Sequence, residues 1–228
     1  MSAERGVRDA ESAARRGAAR VLVCFALEEE AGAFRQIAEG KADVLVLITG
    51  IGQNNAEKAV RGGLKTFSPQ WILTSGFAGG LNQTLTTGDV IFSTENAALC
   101  EKLHAAGAEP SKIFCAARIA TTVTEKQELR RTTGADAVEM ESEAIHAVCR
   151  ERGIPCATVR VISDTANEHL PLDFNRLAKP DLSLDYGKLA WAVARSPGKL
   201  GALLRLQKNC RFAAGQLAGT LAKVIWPP

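Results

Sequence analysis

The stretch from Ala137 to Asn167 reads AVEMESEAIHAVCRERGIPCATVRVISDTAN. Its first part predicts a helix that opens with Glu139, Met140 and Glu141, because apolar residues follow at helical spacing. The helix is expected to end near Gly153, since glycine is favoured after a last helical turn and the proline two residues later cannot continue it. A strand comes next, so the stretch predicts the helix-to-strand connection of an α/β fold.

The strand in this stretch contains a charged residue. Small and β-branched residues from Cys156 to Ile162 predict a buried strand, and Arg160 lies inside it. A buried guanidinium is costly unless a carboxylate pairs with it. The strand ends at Ser163 and Asp164, at the carboxyl edge where α/β sheets place their ligands. Two interpretations are open at this point, a structural ion pair beneath a helix N-terminus and part of a functional site.

Strands and helices alternate along the rest of the chain. Five further strands are expected, at Val21 to Ala26, Val44 to Ile48, Trp71 to Thr74, Val90 to Ser93 and about Ile113 to Ala120. Helices are expected from Glu28 to Ile37, from Asn54 or Asn55 to Leu64, and twice after Asn167, separated by Ser196-Pro197-Gly198. The alternation predicts an α/β fold with a mixed or largely parallel sheet, built as one domain over residues 21–228.

Two glycine-rich segments follow strands, TGIG at 49–52 and SGFAGG at 75–80. TGIG offers backbone N–H groups at a helix start, so Gly50 and Gly52 are candidates to bind an anion or a hydroxyl group. It is not a dinucleotide fingerprint, because asparagine stands where the third glycine would fall, and no P-loop motif occurs. Both segments are expected at the same sheet edge as Asp164, which favours a pocket there.

Basic residues are concentrated late in the chain, whose net charge is +3. From Tyr186 to Pro228 there is no Asp or Glu, and seven Lys and Arg residues contribute +7, so the rest carries about −4. A basic amphipathic segment can lie on an anionic membrane surface, or it can pack on the domain as a C-terminal helix with a solvated basic face. Nucleic acid is not an expected partner, because aromatic residues are few and no binding motif is recognised.

Other features argue against several classes of protein. The six cysteines include no CxxC pair, and several lie in apolar runs, which favours reduced thiols in a cytoplasmic protein. The three histidines have no ligand partner at useful spacing, so no metal is expected. No apolar run is long enough to span a bilayer. Met1 to Arg20 lacks the apolar core of a secretory signal and is expected to be a flexible leader.

Five blocks, in order, resemble the nucleoside phosphorylase and nucleosidase superfamily, and most of all its methylthioadenosine/S-adenosylhomocysteine nucleosidases. The blocks are ALEEE at 26–30, TGIGQNNA at 49–56, TSGFAGGL at 74–81 with TGDVIFS at 87–93, AVEMES at 137–142 and VRVISDTAN at 159–167. The resemblance implies a three-layer α/β/α sandwich around a twisted, partly closed mixed sheet, assembled into a homo-oligomer. It also implies cleavage of the bond between ribose and a purine base.

The resemblance also implies roles for individual residues. Departure of a purine requires protonation of a ring nitrogen by a positioned acid, and Asp164 matches the family's acid at N7. Glu141 matches the carboxylate that accepts the ribose hydroxyls, and Met140 packs against the sugar. Glu30 matches the glutamate that orients or deprotonates the attacking water. Arg160 matches a site arginine near that water or an anion.

The remaining site residues follow from the same matches. Glu139 is expected to pair with the site arginine, Ala78 and Gly79 to line the base and ribose, and Ser163 to lie beside the acid. Phe77 stands where the family commonly has a serine that helps to hold water or phosphate. The water-activating glutamate favours hydrolysis, with phosphorolysis as the alternative. No cofactor is expected, and phosphate is the candidate co-substrate of the alternative.

In three features this chain departs from the nucleosidase pattern and resembles one branch of the superfamily, the hopanoid-associated phosphorylases. These features are Phe77, the short segment between about Thr94 and Ala120, and the basic C-terminus. That branch is expected to remove adenine from adenosylhopane, which implies a lipid-linked nucleoside and peripheral contact with the inner membrane face. The aromatic residue that stacks on the purine has no counterpart in TTVTEKQELRRTTGAD at 121–136. The non-enzymatic alternative is a nucleoside-binding or membrane-docking protein that retains the fold.

Overall fold

The computed structural model describes residues 20–177 and 197–227. The expected leader lies outside these residues except for Arg20. The part of the basic segment before Pro197 also lies outside them, as does most of the first helix expected after Asn167. In the described ranges, no helix combines the length and the apolar character that crossing a membrane requires.

The described strands form one mixed sheet of eight, in the order β2-β1-β3-β8-β4-β5, with β7 paired to β3 and β6 paired to β7. They are β1 (Val21–Phe25), β2 (Val44–Ile48), β3 (Trp71–Gly80), β4 (Val90–Ser93), β5 (Glu109–Pro110), β6 (Ile113–Cys115), β7 (Ala137–Glu139) and β8 (Cys156–Asp164). Most pairs are parallel, and β4 with β8 and β3 with β7 are antiparallel. The predicted α/β fold with a mixed sheet is confirmed.

Helices cover both faces of the sheet. They are α1 (Glu28–Ala38), α2 (Gln53–Gly63), α3 (Ala97–Ala105), α4 (Val123–Thr133), α5 (Ser142–Arg152), α6 (Phe174–Leu177) and α7 (Leu200–Ile225), with a 3-10 turn at Pro197–Lys199. Alternate residues of a strand point to opposite faces. Val23 and Phe25 therefore pack with α1, α3 and α7, whereas Leu22 and Cys24 pack with α2 and α5. The result is the expected three-layer sandwich.

Strand β3 changes neighbours along one of its sides. Its first residues, 71–74, are registered with β1, and Gly79 and Gly80 are registered antiparallel with β7. On its other side β8 runs parallel to it, with a register shift between Ala78 and Gly79. Residues 75–78 therefore face a gap between β1 and β7. This fork in the sheet lies at the carboxyl end of β1.

Two predicted strand ends are wrong. The third strand was expected to end at Thr74, but β3 continues to Gly80, because its glycines let β7 and β8 approach closely on either side. The strand expected from Ile113 to about Ala120 ends at Cys115, because its partner β7 is only 3 residues long.

Two predicted helix starts are also wrong. The helix expected to open at Glu139 begins at Ser142, and Glu139 belongs to β7. Oε2 of Glu139 accepts the N–H groups of Glu141 and Ser142, each at 2.9 Å, so this carboxylate caps the helix instead of joining it. Helix α2 begins at Gln53, and its N-cap is Gly52, with φ of 87°, instead of the expected asparagine.

Helix α7 completes one outer layer. Its buried face includes Ala213, Leu217 and Leu221, which pack in the same cluster as α1 and β1. Beyond its end, Trp226 stacks on Phe34 with ring centroids 6.1 Å apart. The described part of the basic segment is thus a helix packed on the domain, one of the two interpretations that its composition allowed. Its exposed basic side chains are Lys199, Arg205, Lys208, Arg211 and Lys223.

Candidate active site

A cavity of about 580 Å³ opens at the fork in the sheet. Most residues predicted for the site line it: Glu30, Phe77, Ala78, Gly79, Glu139, Met140, Glu141, Ser163 and Asp164. Three predicted residues do not line it. Arg160 is buried behind the wall, and Gly50 and Gly52 flank the lining residue Ile51. The fork thus collects residues that are far apart in the sequence.

An ion pair lies behind the cavity wall. Arg160 is 1% exposed, and its Nη2 pairs with Glu139 and donates to Oγ1 of Thr74 at 3.1 Å. The same nitrogen lies 3.6 Å from Oε2 of Glu141. Although burial opposes ionisation, Arg160 and the hydrogen bonds from Ser142 hold the pKa of Glu139 below its ordinary value. The expected pair between Arg160 and Glu139 is confirmed.

Glu30 fills the gap that the fork leaves beside β3. Its Oε1 accepts the N–H of Phe77 at 2.8 Å, at a point where neither β1 nor β7 is registered with that strand. Its Oε2 accepts the N–H groups of Ala26 and Leu27 at 2.9 and 3.0 Å. Burial raises the pKa of Glu30, although these amides and Arg160 favour its charged form. The carboxylate is therefore fixed in place and binds a proton more readily than an exposed glutamate does.

Gly76 allows these charged groups to meet. A Cβ atom at this position would lie 2.7 Å from both Nη1 of Arg160 and Oε1 of Glu30. Its φ of 147° is also one that other residues rarely adopt. The charged groups cannot move away without breaking the hydrogen bonds that hold them. Glycine is thus required by the packing of the site.

Substitution of Gly76 by Ala is expected to lower the free energy of unfolding by about 1–3 kcal/mol, from the clash and the backbone strain together. Urea denaturation measures the loss. Gly32→Ala is the matched control, because nothing lies within 4 Å of its Cβ position in the middle of α1. That variant should gain about 0.5–1 kcal/mol. Equal stability of the two variants would contradict the tight packing at Gly76.

Glu141 connects the TGIG segment to the cavity. Its Oε1 accepts the N–H of Gly52 at 2.9 Å, so the amide at the start of α2 already has a side-chain partner. Burial raises the pKa of Glu141 to about 7, and the neighbouring Glu139 and Glu30 act in the same direction against Arg160. Met140 lies beside it in the wall. A carboxylate that titrates near neutrality is thus presented to the cavity.

Asp164 lies at the end of β8 and is held by two donors. Oδ1 accepts the Ser163 hydroxyl at 2.7 Å. Oδ2 lies 2.5 Å from Nζ of Lys126, which is fully buried in the first turn of α4. Sequence reasoning missed Lys126. The only signal for it is position, since it shares a helix face with Val123 and Leu129, one turn before and after it.

Most of the other residues that line the cavity are apolar, and several of them belong to the C-terminal helix. Leu203, Leu206 and Cys210 of α7 line it. Phe174 lines it from α6, where the side chain of Asn175 exchanges two hydrogen bonds with the backbone of Ile119, at 3.0 and 2.9 Å. Among residues 20–177 and 197–227, the aromatic ones in the wall are therefore Phe77 and Phe174. Phe174 was missed because an aromatic was expected upstream of AVEME.

Each cation that lines the cavity or lies directly behind it has a carboxylate partner within the described chain. Arg160 pairs with Glu139 and Lys126 with Asp164, while Arg118, at the mouth, pairs with Glu125 at 2.8 Å. No group of His, Cys, Asp and Glu in residues 20–177 and 197–227 could hold a metal ion. The wall therefore offers acids and hydrogen-bond acceptors to a ligand with an apolar part.

Comparison with known proteins places these features in a family. The family model of the phosphorylase superfamily matches residues 24–110 and 97–183. A 5′-methylthioadenosine/S-adenosylhomocysteine nucleosidase of Staphylococcus carnosus is 30% identical over 167 residues, which are 58% of this chain and 73% of that protein. The enzyme of that name from Glaesserella parasuis is 30% identical over 177 residues, 61% of this chain and 77% of that protein.

Solved structures share the fold. The 5′-methylthioadenosine/S-adenosylhomocysteine nucleosidase of Neisseria meningitidis, in complex with methylthio-immucillin-A, superposes with a TM-score of 0.68 at 20% identity. The match covers 90% of this chain and 97% of that one. The futalosine hydrolase of Helicobacter pylori superposes with a TM-score of 0.64 at 17% identity, over 89% of this chain and 97% of that one.

Proposed function

This chain belongs to the phosphorylase superfamily, and we propose that it hydrolyses the bond between ribose and adenine in a 5′-substituted adenosine. The chain is an enzyme that cleaves an N-glycosidic bond. The observation that carries the finer proposal is that Asp164, Glu141 and Glu30 line one cavity. These carboxyl groups correspond to the three tasks of the reaction, which are protonating the base, holding the ribose and directing the water.

The chemistry begins at the base. As the bond from ribose to N9 breaks, its electron pair passes into the purine, and a proton on N7 makes adenine a better leaving group. Asp164 supplies that proton from the end of β8. Phe77 and Phe174 provide aromatic surface for the base within the same cavity.

The sugar becomes positively charged in the transition state, and carboxylates stabilise it. Glu141 accepts the ribose hydroxyls, and Met140 packs beside the ring. Glu30, fixed by three backbone N–H groups, directs a water to the anomeric carbon and takes up its proton. The burial that raises the pKa of Glu30 also makes it a stronger base than an exposed glutamate.

The charges of the site favour water over phosphate as the nucleophile. A phosphate dianion needs unpaired cations or free helix N–H groups. Here Arg160 is already neutralised by Glu139, and the N–H of Gly52 is bound to Glu141. Glu30 and Glu141 add negative charge near the same guanidinium. Phosphorolysis is therefore the less favoured alternative.

Release of adenine tests the proposal. Adenosine and 5′-methylthioadenosine are incubated with the protein, with and without inorganic phosphate, and products are separated by chromatography. We expect adenine and the free sugar, which is ribose from adenosine and 5-methylthioribose from 5′-methylthioadenosine, at a rate that does not depend on phosphate. A strict requirement for phosphate, with a sugar phosphate as product, would establish the phosphorylase alternative. No release from these nucleosides or from adenosylhopane in vesicles would favour a nucleoside-binding protein without catalysis.

Binding of the nucleoside should depend on pH through Glu141. Below about pH 7 this carboxyl is protonated and accepts fewer hydrogen bonds from the ribose. The dissociation constant of adenosine should therefore rise about tenfold between pH 8 and pH 6, as for one group that must be ionised. Calorimetry on an Asp164→Asn background avoids turnover. Adding Glu141→Gln should flatten the profile, and an unchanged slope in that variant would assign the titration elsewhere.

We further propose that the 5′ substituent is apolar and that the substrate is a lipid-linked nucleoside such as adenosylhopane. The support is the wall that α7 contributes to the cavity through Leu203, Leu206 and Cys210. Leu200 and Leu204 are 50% and 57% exposed on the same helix. At about 100° per residue they share one helix face with Arg205, Lys208 and Arg211. An apolar and basic face beside the cavity suits an anionic bilayer, so the enzyme would be cytoplasmic and peripheral at the inner membrane face.

Vesicle binding tests the membrane proposal. Deleting the end of the chain is unsuitable, because α7 contributes to the core. The variant R205Q/K208Q/R211Q should instead weaken sedimentation with phosphatidylglycerol vesicles on the order of 100-fold, at about 1 kcal/mol per charge. Lys223→Gln, at the other end of the helix, is the control and should bind as the wild type does. Equal binding to neutral phosphatidylcholine vesicles would contradict the proposal.

The homo-oligomer that the resemblance implies is also a proposal. Light scattering on the same protein samples, without vesicles, would test it by measuring the molar mass in solution.

A further inference from the structure

A buried lysine contacts the proposed acid. Nζ of Lys126 lies 2.5 Å from Oδ2 of Asp164 and donates to the backbone oxygens of Thr165 and Glu168 at 2.6 and 3.1 Å. All three donors of the ammonium group therefore have acceptors. Lys126 does not line the cavity, so it can influence a bound nucleoside only through Asp164.

The segment after β8 is built around this contact. The carboxylate of Glu168 accepts the N–H and the hydroxyl of Thr165 at 2.8 and 3.1 Å, which closes the segment on itself. On the other side of the acid, the Ser163 hydroxyl donates to Oδ1 of Asp164 at 2.7 Å. Each carboxyl oxygen of Asp164 thus has a fixed donor, and the plane of the group is set before a substrate binds.

Helix α4 fixes the position of Lys126. Thr122 and Glu125 form a capping box at the start of the helix, so the turn that carries Lys126 is well defined. A buried ammonium is costly unless paired, and the structure provides its counter-charge on the reactive acid and not on an inert neighbour. A role that served stability alone would not require the acid as the partner.

We propose that Lys126 is a positioning residue for Asp164, and that its charge stabilises the carboxylate that forms as Asp164 protonates the base. The proposal rests on the proposed function. In this step the O–H bond of Asp164 breaks, an N–H bond forms at N7, and the electron pair of the ribose–N9 bond passes into the purine. After adenine leaves, Asp164 regains a proton from solvent, and Glu30 releases to solvent the proton that it took from the attacking water. A fixed positive charge next to the developing carboxylate lowers the barrier to the transfer.

A double-mutant cycle tests this role, with kcat and KM for adenosine measured in the wild type, Lys126→Met, Asp164→Asn and the double variant. Lys126→Met should lower kcat roughly 10- to 100-fold, a part of the contribution of a general acid, and leave KM within about threefold. In the Asp164→Asn background it should cause no further loss, because the two residues act as one unit. If the double variant instead lost activity by the product of the two single losses, the proposal would be overturned and Lys126 would have only a structural role.

A second substrate separates proton donation from folding. 4-Nitrophenyl β-riboside has a leaving group that needs no proton, so Lys126→Met should hydrolyse it nearly as fast as the wild type. An equal loss on both substrates would contradict the assignment. Lys112→Met is the matched control, because the exposed ammonium of Lys112 contacts the other end of α4, at the carbonyl of Thr133, 2.7 Å away. It should leave both rates unchanged.

Two outcomes distinguish this role from the proposed function itself. If the wild type releases no adenine, both fail. If the wild type releases adenine and Lys126→Met does so with an unchanged kcat, the positioning role alone fails. Should Lys126→Met not fold, Lys126→Gln replaces it, since its amide can still donate to the backbone oxygens of Thr165 and Glu168 without a charge. The same results are expected from that variant.

Discussion

Replacement of Asp164 by asparagine is expected to lower kcat for adenine release by about 10²–10⁴-fold, the usual contribution of a general acid. The amide cannot supply the proton that N7 needs. It keeps an oxygen that can accept a hydrogen bond from Lys126, so the fold and the shape of the cavity should remain. Initial rates at saturating adenosine, followed by chromatography of adenine, measure the loss.

Binding provides the control for this variant. The dissociation constant of adenosine should change far less than kcat, because the ribose contacts lie elsewhere in the cavity. Asp173→Asn is a matched replacement of an aspartate that does not line the cavity, and its kcat should equal that of the wild type. Near-normal turnover in Asp164→Asn would remove this residue from the mechanism.

Arg160→Met is expected to lower the free energy of unfolding by about 3–5 kcal/mol, the cost of leaving a buried charge without its partner. The arginine and Glu139 are both 1% exposed at their side chains, and Glu141 lies 3.6 Å away. Without the guanidinium, these carboxylates face each other with no counter-charge. Urea denaturation at pH 7 measures the difference.

The pH dependence and a second substitution identify the cause of this loss. Arg160 holds the pKa of Glu139 below its ordinary 4.5, so the stability from the pair is present above that pH and is lost as the pH falls further. The deficit of the variant should therefore shrink toward pH 4. Adding Glu139→Gln should recover part of it at pH 7. If Arg160→Met lowered the free energy of unfolding by less than about 1 kcal/mol, the buried carboxylates would have bound protons and become neutral, and the proposed cost of an unpaired buried charge would be contradicted.

The fold was predictable because its main signals are local. The strand from Cys156 to Asp164 has a run of buried β-branched residues, and the helix before it ends at Gly153, in the left-handed conformation that glycine favours. The resemblance of the five blocks to the superfamily is confirmed by the family model, whose matches at 24–110 and 97–183 together span all of them. Strand β6 was predicted too long because its end depends on a partner strand that lies far along the chain.

The site was only partly predictable, for a related reason. Glu30, Glu141 and Asp164 belong to sequence blocks and could be matched one by one. Lys126 lies in a helix rich in charged residues, where a lysine normally points to solvent, and only the folded chain brings it to the acid. Phe174 reaches the cavity from a four-residue helix with no motif around it.

The fork in β3 has a consequence for how such an enzyme can evolve. The opening is created where main-chain pairing divides between β1 and β7, and an acid from α1 occupies the division. Because main-chain pairing tolerates most side-chain replacements, the opening can persist while the residues around it change. Solved structures at 16% and 20% identity still superpose over about nine-tenths of this chain, so the fold persists through such replacement.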